Sequence, residues 1–168
     1  MSWIVRGSAL LFGDDVNTDL LHPSYFYSLD DKTVRSGFLG AVPGREDEAE
    51  STDEPRIVVA GENFGCGSSR ETTLRALAMA GVQAVVASSF GRIFFRNACS
   101  LGIPAVTCSG ANAFADDRDA LELDLDGLFL RNRTQGAETR VDAIDPFWSA
   151  VVRAGGLILF LRSRGEGR

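Results

Sequence analysis

The stretch that decides the fold runs from residue 57 to residue 81 and reads Ile-Val-Val-Ala-Gly-Glu-Asn-Phe-Gly-Cys-Gly-Ser-Ser-Arg-Glu-Thr-Thr-Leu-Arg-Ala-Leu-Ala-Met-Ala-Gly. Its β-branched start predicts a strand, and the apolar spacing after residue 70 predicts a helix that ends at about Gly81. Three glycines between these elements let the backbone turn sharply and approach a ligand closely. Because helix amino termini favour anions, this loop is the best candidate for a ligand site.

The segments that follow continue the same alternation. We predict a strand over residues 82–87, a helix over 90–101 and a strand over 103–107. Short apolar strands alternating with helices of about ten residues imply parallel strands joined by right-handed crossovers. The centre of the chain is therefore expected to be a parallel βαβαβ unit.

Both ends of the chain add further elements. Residues 3–12 are rich in strand formers and precede a turn signal, and leucines alternate from residue 121, which predicts a strand pair through residue 140. We also predict a helix over 146–153 and a last strand over 157–161. The expected fold is α/β, a single domain over residues 1–168 with antiparallel additions to the parallel centre.

Residues 30–55 differ in composition from the rest of the chain. This segment is polar and acidic, most densely over 45–54, and Gly and Pro interrupt any period. It predicts a long, mobile acidic surface loop.

Composition excludes several classes of function. The chain is 45% hydrophobic and 24% charged, which is ordinary for a globular protein, and its formal net charge is −6 with a pI near 4.8. Nucleic-acid binding is not expected, because it needs clustered Lys and Arg. The sequence shows neither a membrane-spanning apolar run nor a signal-peptide pattern, so we expect a cytoplasmic protein without membrane contact.

The three cysteines, Cys66, Cys99 and Cys108, are odd in number and lack the close spacing of a metal-ligand set. We therefore expect reduced thiols and no metal bound by this chain. Cys66 could be activated at a helix start, but a cysteine nucleophile normally needs a histidine base, and the only histidine is His22. Cys66 is better read as a small residue in a tight loop, and His22 as a residue that satisfies a local backbone partner.

The glycine loop matches no common catalytic fingerprint. A phosphate-binding P-loop would need a glycine and a lysine where this loop has Cys66 and no lysine nearby, and a dinucleotide fingerprint would need glycine where Arg70 stands. The sequence has no Gly-x-Ser-x-Gly motif. Nucleotide binding and serine hydrolysis are both disfavoured.

The remaining interpretation is a carboxylate site. Ser68, Ser69 and Arg70 lie at the mouth of a helix beside the Gly67 amide, and guanidinium binds carboxylates in a bidentate manner. A small hydroxy di- or tricarboxylate is the ligand class that suits this set. A purely structural alternative is equally open at this point, because Ser68-x-x-Glu71 is also a capping box.

Several ordered motifs closely resemble those of one known family, the 3-isopropylmalate dehydratase small subunits, which belong to the wider aconitase swivel-domain family. The motifs span nearly the whole chain and are Gly13-Asp-Asp-Val-Asn-Thr-Asp19 with Pro23, Gly61-Glu-Asn-Phe-Gly-Cys-Gly-Ser-Ser-Arg-Glu71, Ala87-Ser-Ser-Phe-Gly-Arg-Ile-Phe-Phe-Arg-Asn97 with Gly102-Ile-Pro104, and Ala154-Gly-Gly-Leu157. The resemblance implies a swivelling β/β/α domain.

The resemblance also implies a function and a partner. It implies a hydro-lyase of leucine biosynthesis that isomerises 3-isopropylmalate and 2-isopropylmalate, active only with a separate large subunit that carries a [4Fe–4S] cluster. By the same resemblance, Ser68 is the base that removes the C–H proton, whereas Ser69, Arg70 and the Gly67 amide bind substrate. A serine in this role needs amide donors, a helix terminus and a nearby cation to favour alkoxide.

Further positions are assigned with less support from the motifs. Asn17, Thr18 and Asp19 are expected at the rim of the site, where loop stabilisation explains them equally well, and Arg35 is a rim candidate by position. Thr72 stands where the family commonly has histidine, which indicates either a divergent substrate or a packing variant. Two alternatives therefore stay open: the small subunit of a related hydro-lyase acting on homoaconitate, citrate-like acids or methylated malates, and a non-catalytic carboxylate-binding module.

Overall fold

The computed structural model describes residues 2–49, 54–67 and 70–165 of the chain. The strands are β1 (Ile4–Leu11), β2 (Arg56–Ala60), β3 (Val82–Ala87), β4 (Ala105–Thr107), β5 (Ala120–Asp124), β6 (Phe129–Asn132) and β7 (Ala137–Arg140). The α-helices are α1 (Thr18–Leu21), α2 (Asp31–Ser36), α3 (Glu71–Met79), α4 (Arg92–Ser100), α5 (Pro146–Arg153) and α6 (Leu157–Gly165). Short 3-10 helices lie at Ser24–Phe26, Glu46–Ala49 and Ala111–Ala113.

All seven strands form one sheet in the order β4-β3-β2-β1-β5-β6-β7. Strands β1 to β4 pair in parallel, whereas β5, β6 and β7 pair with their neighbours in antiparallel fashion. The predicted parallel βαβαβ centre with antiparallel additions is confirmed. The predicted strand pair after residue 120 proves to be three strands.

Both faces of the parallel centre are buried, which explains why its strands read as continuous apolar runs. Along β2, Val58 and Ala60 join a core cluster with the helices, whereas Ile57 and Val59 join a second cluster on the other face. The first cluster draws on α2, α3 and α4, and the second on leucines of β5 and β6. The sheet therefore has a helical layer on one side and its own antiparallel extension packed on the other.

The parallel strands β1, β2 and β3 end side by side. Leu11 pairs with Val59 one residue before the end of β2, and Ala60 pairs with Ala87 at the ends of β2 and β3. Their following loops therefore emerge at the same edge of the sheet, where open α/β sheets bind ligands. We call this edge the site edge.

The predicted last strand over 157–161 is wrong, because this segment is the start of helix α6. A short, wholly apolar run cannot be assigned to strand or helix by periodicity alone. Gly155 and Gly156 have φ values of 84° and 119°, so they end α5 and turn the chain into a second helix rather than back to the sheet.

The predicted surface loop over residues 30–55 is wrong in the part that the structure describes. Asp30 caps α2 by accepting the Thr33 amide at 2.9 Å, and Val34 of this helix is buried in the core. Farther along, Glu48 forms an ion pair of 3.0 Å with the buried Arg56 of β2. The mobility of the segment stays a prediction, and residues 50–53 lie outside the described residues.

Within the described ranges, helices are too short or too polar to cross a bilayer.

Candidate active site

The glycine loop of residues 61–67 is tied to the loop that follows β1. The Gly65 amide donates to the Val16 carbonyl at 2.8 Å, and the Thr18 amide donates to the Cys66 carbonyl at 3.0 Å. These reciprocal bonds run like a short stretch of parallel sheet. Two segments that are far apart in sequence are thereby held together at the site edge.

The loop after β3 holds the glycine loop from the other side. Phe64 donates from its amide to the Ser89 carbonyl at 3.0 Å and accepts from the Gly91 amide at 2.9 Å. The Ser89 hydroxyl also accepts the Asn63 amide at 2.8 Å. Three of the sequence motifs, those around residues 13–19, 61–67 and 88–91, therefore meet in one place.

The glycines of this junction are required by close contacts. A Cβ on Gly65 would lie 2.2 Å from the Phe94 ring, and the φ of 75° at Gly65 already disfavours any side chain. A Cβ on Gly61 would lie 1.8 Å from an Asp14 carboxylate oxygen, and one on Gly91 would collide with the Gly65 carbonyl. The glycine density of the sequence therefore reflects packing of three loops as well as ligand access.

Carboxylates of the first loop serve as scaffolding. Asp14 Oδ1 accepts the Glu62 amide at 2.8 Å, and Asp15 Oδ1 accepts from the Asn63 side-chain amide at 2.9 Å. Asn17 Oδ1 accepts the Leu20 amide at 2.8 Å and so caps α1. The first motif therefore fixes the shape of the site edge through its own acidic and amide side chains.

Ser68 and Ser69 lie outside the described residues, so their predicted roles as base and substrate ligand stay predictions. The capping-box alternative is wrong, because α3 begins at Glu71 and Arg70 occupies the N-cap position. Arg70 has extended backbone, with φ −100° and ψ 125°, and a helix that included residues 69 and 70 would need helical angles there. Glu71 is therefore the first residue of α3, whereas a capping box requires the glutamate at the third helical position.

Arg70 lies at the site edge with partners from the first loop. Its Nη1 is 3.5 Å from Asp19 Oδ1, and its guanidinium carbon is 4.5 Å from the centroid of the Tyr27 ring. The two side chains of the ion pair are 42% and 62% exposed, so the pair is weak and open to an incoming anion. Arg70 therefore has the position and the freedom to bind a carboxylate.

The other residues predicted at the rim of the site lie in two different places. Thr18 is buried in α1 beside the glycine loop, and Asp19 reaches Arg70, so Asn17, Thr18 and Asp19 are all at the junction. Arg35 instead lies half-buried on α2, where its Nε donates to the Ala49 carbonyl at 3.1 Å. That contact ties Arg35 to the 3-10 helix at residues 46–49.

Sequence reasoning missed Tyr27, which follows the first motif without belonging to it. The Tyr27 ring stacks on His22 with a centroid distance of 5.3 Å, and its hydroxyl lies 3.4 Å from the His22 carbonyl. His22 is fully buried with its Nε2 2.8 Å from the Val34 carbonyl, as expected of a histidine with a backbone partner. No periodicity or motif marks Tyr27, and only the run of aromatic residues after Pro23 signals packing there.

Arg92 and Arg96 lie exposed on α4, beside a groove formed with Phe95 and Trp148. In the parts of the chain that the structure describes, neither guanidinium has a hydrogen-bond or ion-pair partner. This agrees with arginines that face solvent or another subunit rather than a bound ligand.

The cysteines of this chain do not fit an iron–sulfur cluster. Cys99 is buried in the core cluster beneath the helices, whereas Cys108 is buried in the cluster on the opposite face of the sheet. Burial raises the pKa of the Cys99 thiol to about 11, which disfavours the thiolate that a cluster needs. The described residues also contain no group of three or more His, Cys, Asp or Glu placed to hold a metal ion.

Comparison with known proteins gives one consistent family. The model of the aconitase C-terminal domain matches residues 20–110. The 3-isopropylmalate dehydratase small subunit 1 of Methanopyrus kandleri is 37% identical over 164 residues, which cover 96% of this chain and 95% of that protein. The methanogen homoaconitase small subunit of Methanothermobacter thermautotrophicus is 40% identical over 161 residues, covering 94% and 91%.

A solved structure extends the similarity to the whole architecture. The crystal structure of 3-isopropylmalate dehydratase from Methanocaldococcus jannaschii superposes with a TM-score of 0.89 at 33% identity, covering 97% of this chain and 96% of that one. The isopropylmalate/citramalate isomerase small subunit of the same organism is 34% identical over 166 residues, covering 98% and 97%. Relatives with this fold thus carry names for several hydroxy acids.

Proposed function

This chain belongs to the aconitase C-terminal domain family, and we propose that it is the small subunit of a two-subunit hydro-lyase that interconverts 3-isopropylmalate and 2-isopropylmalate. The observation that carries the proposal is the meeting of three motif loops at the site edge, with the Arg70 guanidinium exposed beside them. Relatives named as 3-isopropylmalate dehydratase small subunits match nearly the full length of the chain.

Arg70 is the proposed ligand of a substrate carboxylate. A guanidinium offers several N–H donors in one plane, which match the two oxygens of a carboxylate. The weak, exposed contact with Asp19 leaves this plane accessible. Ser69 and the Gly67 amide are proposed to bind the same substrate. Gly67 has a φ of 97°, and a Cβ there would lie 3.6 Å from the Thr18 hydroxyl oxygen and 3.7 Å from the Asn17 Cβ.

Ser68 is the proposed base for the C–H proton. A serine near its ordinary pKa is a poor base, so the hydroxyl must lie where amide donors and a cation stabilise the alkoxide. Ser68 is preceded by a glycine loop, and it is followed by Arg70 and then by Glu71, the first residue of α3. Arg70 holds the N-cap position of α3, and the proposal assigns the Ser68 oxygen to proton transfer rather than to capping.

The [4Fe–4S] cluster is proposed to belong to the large subunit, since the cysteines of this chain do not fit one. Small-subunit relatives imply such a partner by their names. The site edge would then face the partner, and this chain would supply the proton-transfer and carboxylate-binding side chains. We also propose that the assembled enzyme is cytoplasmic and binds neither nucleic acid nor membrane.

A related hydro-lyase is the second candidate function. It is supported by relatives named homoaconitase and isopropylmalate/citramalate isomerase small subunits at similar identity, and by Thr72 where the family commonly has histidine. Thr72 lies half-buried in the first turn of α3. Assaying the assembled complex with each of these acids decides between the two candidate functions.

The test is reconstitution with the large subunit encoded by the same organism. We expect the chain alone to be inactive, and the assembled, iron-loaded complex to interconvert the isopropylmalates with a higher kcat/KM than for homocitrate, citrate or citramalate. A preference for one of those acids would select the second candidate. A colourless monomer or homodimer that binds dicarboxylates but forms no active complex would instead indicate a non-catalytic binding module.

A further inference from the structure

The side chains around Arg70 form a layered contact that reaches from the core to the site edge. His22 is fully buried and held by the Val34 carbonyl, the Tyr27 ring stacks on His22, and Arg70 lies over the Tyr27 ring. The distances are 2.8 Å, 5.3 Å and 4.5 Å in that order. The exposed Arg70 side chain is thereby linked, through Tyr27, to the buried His22.

The Arg70 guanidinium carbon lies over the Tyr27 ring, 4.5 Å from its centroid, a distance that suits contact between the ring and the guanidinium face. A ring packs against the face of a guanidinium, whereas a carboxylate binds in its plane through the N–H groups. Asp19, in contrast, contacts Nη1 of the guanidinium at 3.5 Å and would be displaced by a ligand carboxylate. The ring contact can therefore persist while substrate binds.

Tyr27 is itself held in place. Its hydroxyl lies 3.4 Å from the His22 carbonyl and 3.5 Å from Asp19 Oδ1, but these distances are too long for strong hydrogen bonds. Stacking on His22 therefore contributes more to the position of the ring than its hydroxyl does.

We propose that Tyr27 is a positioning residue that orients the Arg70 guanidinium for the substrate carboxylate before substrate arrives. Ordering a long arginine side chain costs entropy, and a side chain already ordered in the free protein avoids that cost on binding. This inference rests on the proposed role of Arg70 as a carboxylate ligand.

The ordering itself can be measured on the free chain by NMR relaxation of the arginine Nε–H groups. Arg92 and Arg96 are internal references, because they are exposed and unpaired within the described residues. We expect Arg70 to be more ordered than both references, to fall to their level in Tyr27→Leu, and to stay ordered in Tyr27→Phe, which keeps the ring. Equal mobility of Arg70 and the references in the wild type, or unchanged order in Tyr27→Leu, would overturn the proposal.

The functional consequence is measured in the assembled complex. Tyr27→Leu should raise KM roughly three- to fivefold with little change in kcat, as expected for loss of an exposed cation–π contact that acts on ground state and transition state alike. Tyr27→Phe should stay within about twofold of wild type on the same reasoning. Phe129→Leu is the matched control, since this ring contacts Arg131 and Arg140 on the distant strands β6 and β7.

Comparing Arg70→Ala with Tyr27→Leu distinguishes the positioning role of Tyr27 from the carboxylate-binding role of Arg70. If Arg70→Ala raises KM but Tyr27→Leu does not, the positioning role is wrong and the proposed function stands. If an active complex keeps its KM in Arg70→Ala, the carboxylate role of Arg70 fails and the positioning role fails with it. Thermal unfolding of each variant shows whether a change in KM accompanies a loss of folded protein.

Discussion

His22 is a buried titratable side chain whose protonation the fold disfavours. Its Nε2 faces a carbonyl oxygen, which can only accept, so Nε2 carries the proton and Nδ1 is the bare nitrogen. Nδ1 is buried without a hydrogen-bond partner among the described residues, and burial lowers the pKa of His22 despite the Val34 carbonyl. The imidazole is therefore neutral in the folded protein at neutral pH.

This arrangement predicts a loss of stability in weak acid. Because the folded-state pKa lies below the unfolded value of about 6.5, the unfolded chain takes up a proton first as the pH falls below that value. The free energy of unfolding should then fall by at most about 1.4 kcal/mol per pH unit until the folded-state pKa is reached. Chemical denaturation of wild type and His22→Asn between pH 8 and pH 5 measures the difference.

The expected result is that His22→Asn is less stable at neutral pH but has a flatter pH dependence than wild type below about pH 6.5. Lowered carboxyl pKa values, such as that of Glu122 among three arginines, affect stability only at lower pH, so the two effects separate. Identical slopes in the two proteins would show that His22 is not the group responsible.

At the scale of elements, the glycine loop depends on contacts that a single methyl group would break. Gly65 combines a φ of 75° with a Cβ position 2.2 Å from the Phe94 ring on α4. Gly110 has a similar φ of 68° but open space around it. The two positions therefore separate backbone strain from collision.

We expect Gly65→Ala to destabilise the chain by about 2 to 5 kcal/mol and Gly110→Ala by about 1 to 2 kcal/mol. The difference arises because Phe94 is buried and packed edge-on against Phe64, so it cannot move aside without cost. Denaturant unfolding of both variants is the measurement. Equal losses of stability in the two variants would contradict this expectation, because they would show that the loop or Phe94 shifts to accommodate the added methyl group at position 65.

The elements also show where sequence reasoning succeeds. Strands β2 and β3 and helices α3 and α5 have clear apolar patterns and turn signals at their ends, and the predictions for them are confirmed. Helix α6 was predicted as a strand because the apolar run at residues 157–161 has no period. Helix α2 was missed because its sequence is polar apart from the buried Val34, although Asp30 and Thr33 form a recognisable cap.

At the scale of the whole molecule, the fold brings together what the sequence could only suggest separately. Three motifs converge at the site edge, and this follows from the parallel pairing of β1, β2 and β3. The fourth motif, at Gly155 and Gly156, packs instead on Gly102 at the far end of α4, where a Cβ on Gly102 would lie 2.7 Å from Gly155. Resemblance alone did not separate site motifs from packing motifs.

The contacts of Arg70 could not be read from sequence either. Tyr27 and Arg70 are 43 positions apart (70 − 27 = 43), and only the folded loops show that one ring lies beneath the guanidinium. The helix start likewise needed backbone angles, since Ser68-x-x-Glu71 satisfies the sequence pattern of a capping box while Arg70 holds the N-cap position. The motif predicts the site, and the geometry adds the contacts of Arg70 and the start of α3.

The most direct test of the account is the turnover rate of the assembled complex with Ser68→Ala, measured as isopropylmalate interconversion and compared with Ser109→Ala, an exposed serine in the turn after β4. If Ser68 is the base, Ser68→Ala should lower kcat by a factor of about 100 or more with KM little changed, whereas Ser109→Ala should match wild type. Near-normal turnover of Ser68→Ala in a fully assembled, iron-loaded complex would contradict the proposed mechanism.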